Sequence, residues 1–319
     1  MSAIPVIMDV DTGTDDALAL AYAVCSPKLD LLAATTVAGN VGIERATVNT
    51  LAVLDWLGAK NVPVHRGASR PLVRRHLDAA GFHHEGGLGG ARIPDSKRQL
   101  GCDRGPAAIV RMANARPGEI TLIALGPLTN VAIALNVEPR LPELLKGVVL
   151  MGGAFTVPGN TLPDGSFREP GEAAPAAEFN IIVDPEAAEQ VFAAPFKRLT
   201  AIGLDVTNQV ALTSEDWDAV NTAADLEAPA ALLREIGGHA FGTLARERFA
   251  LHDPLAAAVA ADHGLVGTEL ASVAVDTRGA EIGRTRMDGP GQVEVALHVD
   301  RERALHEFRS TLGLPTATN

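Results

Sequence analysis

IPVIMDVDTGTDDALALAYAV, residues 4–24, carries a complete strand–turn–helix unit and an acidic cluster at its turn. Residues 4–8 form a short apolar run that reads as a buried strand, and residues 15–24 follow a helical pattern. Between them Asp9, Asp11, Asp15 and Asp16 fall within eight residues. Asp9 and Asp11 share one side of an extended segment, because strand side chains alternate. Gly13 allows a tight turn, and Asp15 and Asp16 open the helix. The preference of helix N-termini for acidic side chains covers one or two of these carboxylates, hardly four. Close carboxylates repel one another unless a cation neutralises them or they hold protons. The cluster therefore reads as a cation site, and an all-oxygen donor set suits calcium or magnesium over zinc or copper.

Outward from this unit the alternation repeats. Residues 29–37, 62–65, 120–125, 148–151 and 199–204 read as strands, and 43–57, 106–115, 130–135 and 185–192 as helices. Asp184 before Pro185 offers a capping carboxylate, then a proline where the lost N–H costs nothing. Near-continuous apolar strands alternating with helices predict an α/β fold: a mostly parallel central sheet flanked by helices, with a Rossmann-like core. Residues 214–248 look largely helical, and 293–300 alternate in part like a late strand. With no internal repeat and no clean linker, residues 1–319 read as one domain. Ligands in this architecture sit outside the carboxyl ends of the strands, so the active site is expected there. The least regular stretch, GNTLPDGSFREPGEAAPAA at 159–177, is a long loop expected to face solvent near the pocket and to act as a lid over it.

Composition excludes other classes. Asp and Glu outnumber Lys and Arg by 39 to 27, a formal net charge of -12. That speaks against a nucleic-acid partner, which needs a basic footprint, and no basic stripe suggests a membrane surface. No apolar window is long enough for a transmembrane helix, and the first residues read as a strand rather than a signal peptide. Cys25 and Cys102 lack metal-site spacing and read as two unpaired thiols of a cytoplasmic protein.

An Asp-x-Asp after a first strand also occurs in phosphatases of the haloacid-dehalogenase type, where the first carboxylate is a nucleophile. Thr12 before the glycine and the immediate Asp15–Asp16 pair fit that pattern poorly. DVDTGTDDALAL (9–20) instead resembles the signature of the inosine-uridine-preferring nucleoside hydrolase family, usually Asp-x-Asp-Pro-Gly-x-Asp-Asp-Ala. Further similar segments follow in the family's order: VAGN (37–40), HHEGGLGG (83–90), ALGPLTNVA (124–132), VVLMGGAF (148–155), AEFNIIVDPEAA (177–188), GLDVT (203–207) and LHDPLA (251–256). The resemblance covers almost the whole chain. Thr12 departs from the family's proline, His84 from a glycine, and the loop between Thr161 and Ala177 is much longer than the family's connection there.

The resemblance implies hydrolysis of the N-glycosidic bond of ribonucleosides, with one calcium ion. Its ligands would be the carboxylates of Asp11, Asp16 and Asp253 and the main-chain carbonyl of Leu125. With Asp16 bidentate these give five oxygens, and roughly three more, from the ribose 2′- and 3′-hydroxyls and a water, would complete calcium's usual six to eight. Asp11 is implied as the general base that activates the attacking water. Ribose contacts are implied for Asp15, Asn40, Asn160, Glu178, Phe179 and Asn180, with Met151 packing nearby and Asp253 shared with the ion. His252 is the candidate acid for the leaving base, and His83 a candidate base contact. Read without the resemblance, Asp253 before Pro254 would be a helix cap and Leu125 an ordinary strand end. A non-catalytic nucleoside-binding protein is the remaining alternative; it would keep the ribose contacts and lose the base or a ligand. The family forms homodimers and homotetramers, and nothing in the residues selects between them. Nor do they fix the base preference: with one tyrosine and two tryptophans, no stacking platform is evident, and Phe249, Arg246 and Arg248 are the possible neighbours of the base.

Overall fold

The computed structural model describes residues 2–77, 79, 86–167 and 176–315. Its main sheet has eight strands in the order β3-β2-β1-β4-β5-β6-β12-β9. The strands are β1 (Ile4–Val10), β2 (Leu29–Thr36), β3 (Val64–Arg66), β4 (Thr121–Ala124), β5 (Gly147–Met151), β6 (Leu199–Ile202), β9 (Val266–Ala271) and β12 (Val293–Val299). All neighbouring pairs run parallel except β12 with the edge strand β9. The central strands β4, β5 and β6 are buried along their whole length, which is why they read as unbroken apolar runs rather than as alternation.

Strand order reverses between β1 and β4. From β1 the chain winds outward through β2 and β3, then returns to β4 and winds the other way. The crevice at such a reversal is where an open α/β sheet presents its ligand site. One apolar cluster packs the helix Thr14–Cys25 against His252–Ala261 on one face. A second packs Gly105–Ala115, Thr129–Val137 and Pro185–Ala193 on the other. Tyr22 and Phe308 stack with ring centroids 6.4 Å apart, tying the last helix, Arg301–Thr311, to the first.

The segment expected to be largely helical over 214–248 divides into Ser214–Thr222, Ala228–Gly237 and a π-helical turn, Gly238–Thr243. Pro229 in the first turn of the second helix explains the break, since proline starts a helix but cannot continue one. Around it and after it lie elements that sequence pattern did not reveal. They are the antiparallel pair β7 (Ala211–Thr213) and β8 (Arg248–Ala250), the pair β10 (Val273–Val275) and β11 (Thr285–Met287), and the edge strand β9. Most are three residues long, too short to show a period.

The described part of the long loop is also ordered. Leu162 accepts from Gly165 N–H at 2.9 Å and donates to Ser166 O at 2.8 Å. Asp164 Oδ1 accepts from both the amide and the hydroxyl of Ser166. Pro163-Asp164-Gly165 thus closes a tight turn of the kind those residue types favour. Thr161, 1% exposed, bridges both Phe167 and Ala177. The expectation of a wholly solvent-facing loop does not hold for this part.

Candidate active site

β1 ends at Val10, and Asp11 follows at the reversal of strand order, fully buried. Both of its oxygens are held by Asn40: the main-chain N–H donates to Oδ2 at 2.6 Å and the side-chain amide to Oδ1 at 3.1 Å. The same Asn40 amide donates to Asp16 Oδ2 at 3.1 Å, and Asp11 N–H donates to Asp16 Oδ1 at 3.1 Å. Two loops must come very close for this. A Cβ on Gly39 would lie 1.9 Å from Asp11 Oδ2, and one on Gly126 would lie 2.9 Å from Asp11 Cγ. Any side chain at either position would push the carboxylate out of place.

Asp16 caps its own helix by accepting from Gly13 N–H at 2.8 Å. Asp15, Asp16 and Asp253 each offer a carboxylate oxygen, and these oxygens lie within 4.8 Å of one another. Asp253 reaches the group from the first turn of the helix His252–Ala261. Burial, then Asp15, Asp16 and Asp11, push its pKa well above the carboxylate range. Burial and the charge of Asp16 likewise raise Asp11, and bring Asp15 to about 7. One oxygen of Asp15 is buried with no hydrogen-bond partner. A desolvated, mutually repelling, all-oxygen group of this kind fits a hard divalent cation.

The remaining wall comes from the ends of β4 and β5. Asn180 Nδ2 donates to the Leu125 carbonyl at 2.7 Å and to the Met151 carbonyl at 3.1 Å, joining the two strand ends. Glu178 is the N-cap of the helix Phe179–Val183. Its oxygens accept from Asn180 N–H at 3.0 Å, Gly153 N–H at 3.1 Å and Ile181 N–H at 3.2 Å. Burial brings its pKa to about 7. Asn160 Oδ1 accepts from Phe179 N–H at 3.1 Å. His252 Nδ1 lies 2.8 Å from the Thr207 hydroxyl, and burial pushes its pKa down to about 4, so the ring is uncharged at neutral pH. Asp11, Asp15, Asp16 and Asn40 thus gather around one crevice floor, with Asp253 against the Asp15–Asp16 pair. Leu125, Met151, Glu178, Phe179, Asn180 and Asn160 form a connected wall. His83 lies outside the described residues.

One contributor was missed by sequence reading, and one carboxylate was grouped with the wrong neighbours. Asp205 accepts from Phe155 N–H, Thr156 N–H and the Thr156 hydroxyl at 2.9, 2.7 and 2.6 Å, fixing the turn after β5. Asp9 does not join the other carboxylates. It is paired inside the sheet with Thr35 and Ala124, and its Oδ1 accepts from the Thr35 hydroxyl and, at 2.7 Å, from Asn130 Nδ2. Alternation grouped Asp9 with Asp11, but the strand ends at Val10 and the alternation ends with it.

Comparison with known proteins gives a consistent result. The profile of the inosine-uridine preferring nucleoside hydrolase family matches residues 6–306. A non-specific ribonucleoside hydrolase, RihC, of Escherichia coli is 37% identical over 307 residues, covering 93% of this chain and 94% of that one. A purine-preferring ribonucleoside hydrolase from Gardnerella vaginalis superposes with a TM-score of 0.85 at 34% identity, over 97% of this chain and 98% of the other. A plant nucleoside hydrolase superposes with a TM-score of 0.86 at 32% identity, over 98% and 99% of the two chains.

Proposed function

The chain belongs to the inosine-uridine preferring nucleoside hydrolase family, and from that premise we propose how its residues cleave the bond between ribose and nucleobase. It is an enzyme, a nucleoside hydrolase. The reading of its site rests on one observation above the rest: carboxylates from two distant parts of the chain, Asp15–Asp16 and Asp253, meet at the reversal of the sheet, beside Asp11.

Asp11, Asp16 and Asp253, with the carbonyl of Leu125, are the groups that would hold a calcium ion. When bound, the ion supplies the positive charge that offsets the clustered carboxylates and an anchor for ribose hydroxyls. Asp11 serves as the base that takes the proton from the attacking water. Asn40 supports this role, since its two donors hold the carboxylate in one orientation. Asp15, with one buried oxygen lacking a partner, accepts from a ribose hydroxyl. Asn40, Asn160, Glu178, Phe179 and Asn180 shape the sugar site, and Met151 packs beside it. Such contacts gain strength as the ribose flattens toward an oxocarbenium-like transition state. His252 faces the departing base. In the tautomer where the Thr207 hydroxyl donates to Nδ1, the neutral ring carries its proton on Nε2 and offers it to the base as a hydrogen bond.

Two free cysteines, one exposed and one half-buried, fit a reducing compartment, and we place the enzyme in the cytoplasm. Among the described residues no helix is long and apolar enough to cross a membrane. The acidic net charge of -12 argues for a small-molecule substrate and against nucleic acid as a partner. A homodimer or homotetramer is the expected assembly. The deciding experiment is ribose release from a panel of purine and pyrimidine ribonucleosides, before and after calcium is removed and restored. Release that needs calcium supports the reading. Full activity with tightly held zinc, or with no metal, overturns the calcium assignment. A protein that binds nucleosides without releasing ribose overturns the assigned chemistry.

A further inference from the structure

We propose that the hairpin at 161–167 is a fixed strut that holds two segments of the pocket rim at a set spacing, making Phe167 and Leu77 positioning residues for ribonucleoside binding. The inference rests on the hydrolase reading above, because it concerns how that site is kept in shape.

On one side the hairpin grips the ribose-contact segment. The ring of Phe167 stacks on that of Phe179, with centroids 5.4 Å apart and planes 25° from parallel. Asn160 N–H and Thr161 N–H both donate to the Ala177 carbonyl, at 2.9 and 3.1 Å. Asn160 Oδ1 in turn receives the Phe179 N–H. Phe179 is therefore held by its ring and by its backbone, both through residues 160–167.

On the other side the hairpin meets residues 72–79. Gly165, at φ +91°, sits so close that a Cβ there would lie 3.0 Å from Leu77 Cδ2. Leu77, Ala79, Phe167, Phe179 and Val183 form an apolar cluster separate from the two main cores. Residues 72–77 and Ala79 make contacts that lead back to the crevice floor. Ala79 N–H donates to the Asn40 carbonyl at 3.0 Å, and His76 Nε2 lies 3.0 Å from the Gly39 carbonyl. Leu72 N–H donates to Asp184 Oδ2 at 2.9 Å. Asn40 is the residue that holds Asp11 and Asp16. A continuous path thus links Phe179, Phe167, Gly165, Leu77, Ala79, Asn40 and Asp11, with the hairpin as its outer member.

A lid must leave its seat to admit substrate. Residues 160–167 are bonded or packed on both flanks, so their role is to fix the rim, and shape complementarity is sensitive to such fixing.

The test compares the parent chain with Phe167→Ala, Phe167→Tyr and Leu77→Ala. Steady-state ribose release and backbone amide exchange are the two readouts. Phe167→Ala should raise KM about fivefold with kcat within about twofold and an unchanged Tm. Exchange should quicken at both 72–79 and 179–183. Phe167→Tyr keeps the stack and should behave as the parent. Leu77→Ala should repeat the KM rise from the other flank, and it carries the test alone if Phe167→Ala fails to fold. Unchanged KM in the folded variants, or faster exchange confined to the hairpin, overturns the proposal. A parent chain that releases no ribose refutes the hydrolase reading instead, while amide exchange still decides the strut.

Discussion

The floor and the rim of this pocket are built on different principles. The floor is polar and sits where three parallel strands end. Asp11 and Asp16 are fully buried, and each is placed by backbone amides and by Asn40. Gly39 and Gly126 leave no space for any other arrangement. The rim is apolar and comes from loops, held by a five-residue cluster rather than by a ladder of hydrogen bonds. Charge on the floor creates a demand that something else must meet; contact at the rim only sets distances. Floor substitutions should therefore change chemistry and stability by large amounts, while rim substitutions change binding by small ones.

The largest effect is expected at Asp11. Asp11→Asn preserves shape, so Asn40 can still bond one oxygen, but it removes the proton acceptor. Turnover should fall at least about a hundredfold. Near-normal kcat with calcium retained would take the base off this part of the floor. Next in size is sugar discrimination. On the proposed reading a 2′-deoxynucleoside lacks one hydroxyl that the ion and Asp15 would hold, and its kcat/KM should drop at least about tenfold. Equal kcat/KM for inosine and deoxyinosine would mean that the floor does not read the sugar.

The floor also carries a stability signature. Asp15, Asp9 and Glu178 have folded pKa values raised to about 7 by burial. For such groups the unfolded chain ionises first, so stability is lost as pH climbs from the ordinary carboxylate range through the folded value. Calcium-free protein should melt progressively lower between about pH 4 and 7. Calcium should restore roughly 2.7 kcal/mol at a hundredfold excess over its Kd. The gap in Tm between loaded and chelated protein should widen with pH. A gap that narrows as pH rises would show that the cluster is not relieved by the ion.

The same contrast explains what was legible in the sequence. The core strands and the acidic cluster were readable because burial on both faces and the need for several carboxylates in one turn leave few alternatives in residue choice. Asp184 and Asp16 were readable as helix starts for the same local reason. The region after residue 204 was read poorly. Its strands of three residues show no period, and a single proline at 229 divides what looked like one helix. The loop at 159–177 was taken as irregular, although Pro163-Asp164-Gly165 is a turn signal and the phenylalanine two residues on had to pack somewhere. The cluster it joins includes Leu77 and Ala79, far away in sequence, and no local pattern encodes that association.

The smallest effect is expected at Asp9, and it tests where the floor ends. DVDTGTDD presents four carboxylates, yet only three lie in the crevice. Asp9 is buried in the sheet, and one of its oxygens takes the Thr35 hydroxyl and the Asn130 amide. Its other oxygen has no partner. Burial raises its pKa to about 7 despite those two donors. A proton resting on the unpartnered oxygen would satisfy the local chemistry without involving any cation. Asn then reproduces the neutral acid: a carbonyl oxygen for the two donors, an amino group where the protonated oxygen stood. Asp9→Asn should keep kcat within about threefold and lower Tm only slightly, since no bonded partner is lost. Asp9→Ala should cost more, because it strands the Thr35 hydroxyl and Asn130 amide without an acceptor. A loss in Asp9→Asn approaching that of Asp11→Asn would place Asp9 within the reacting floor and erase the boundary between them.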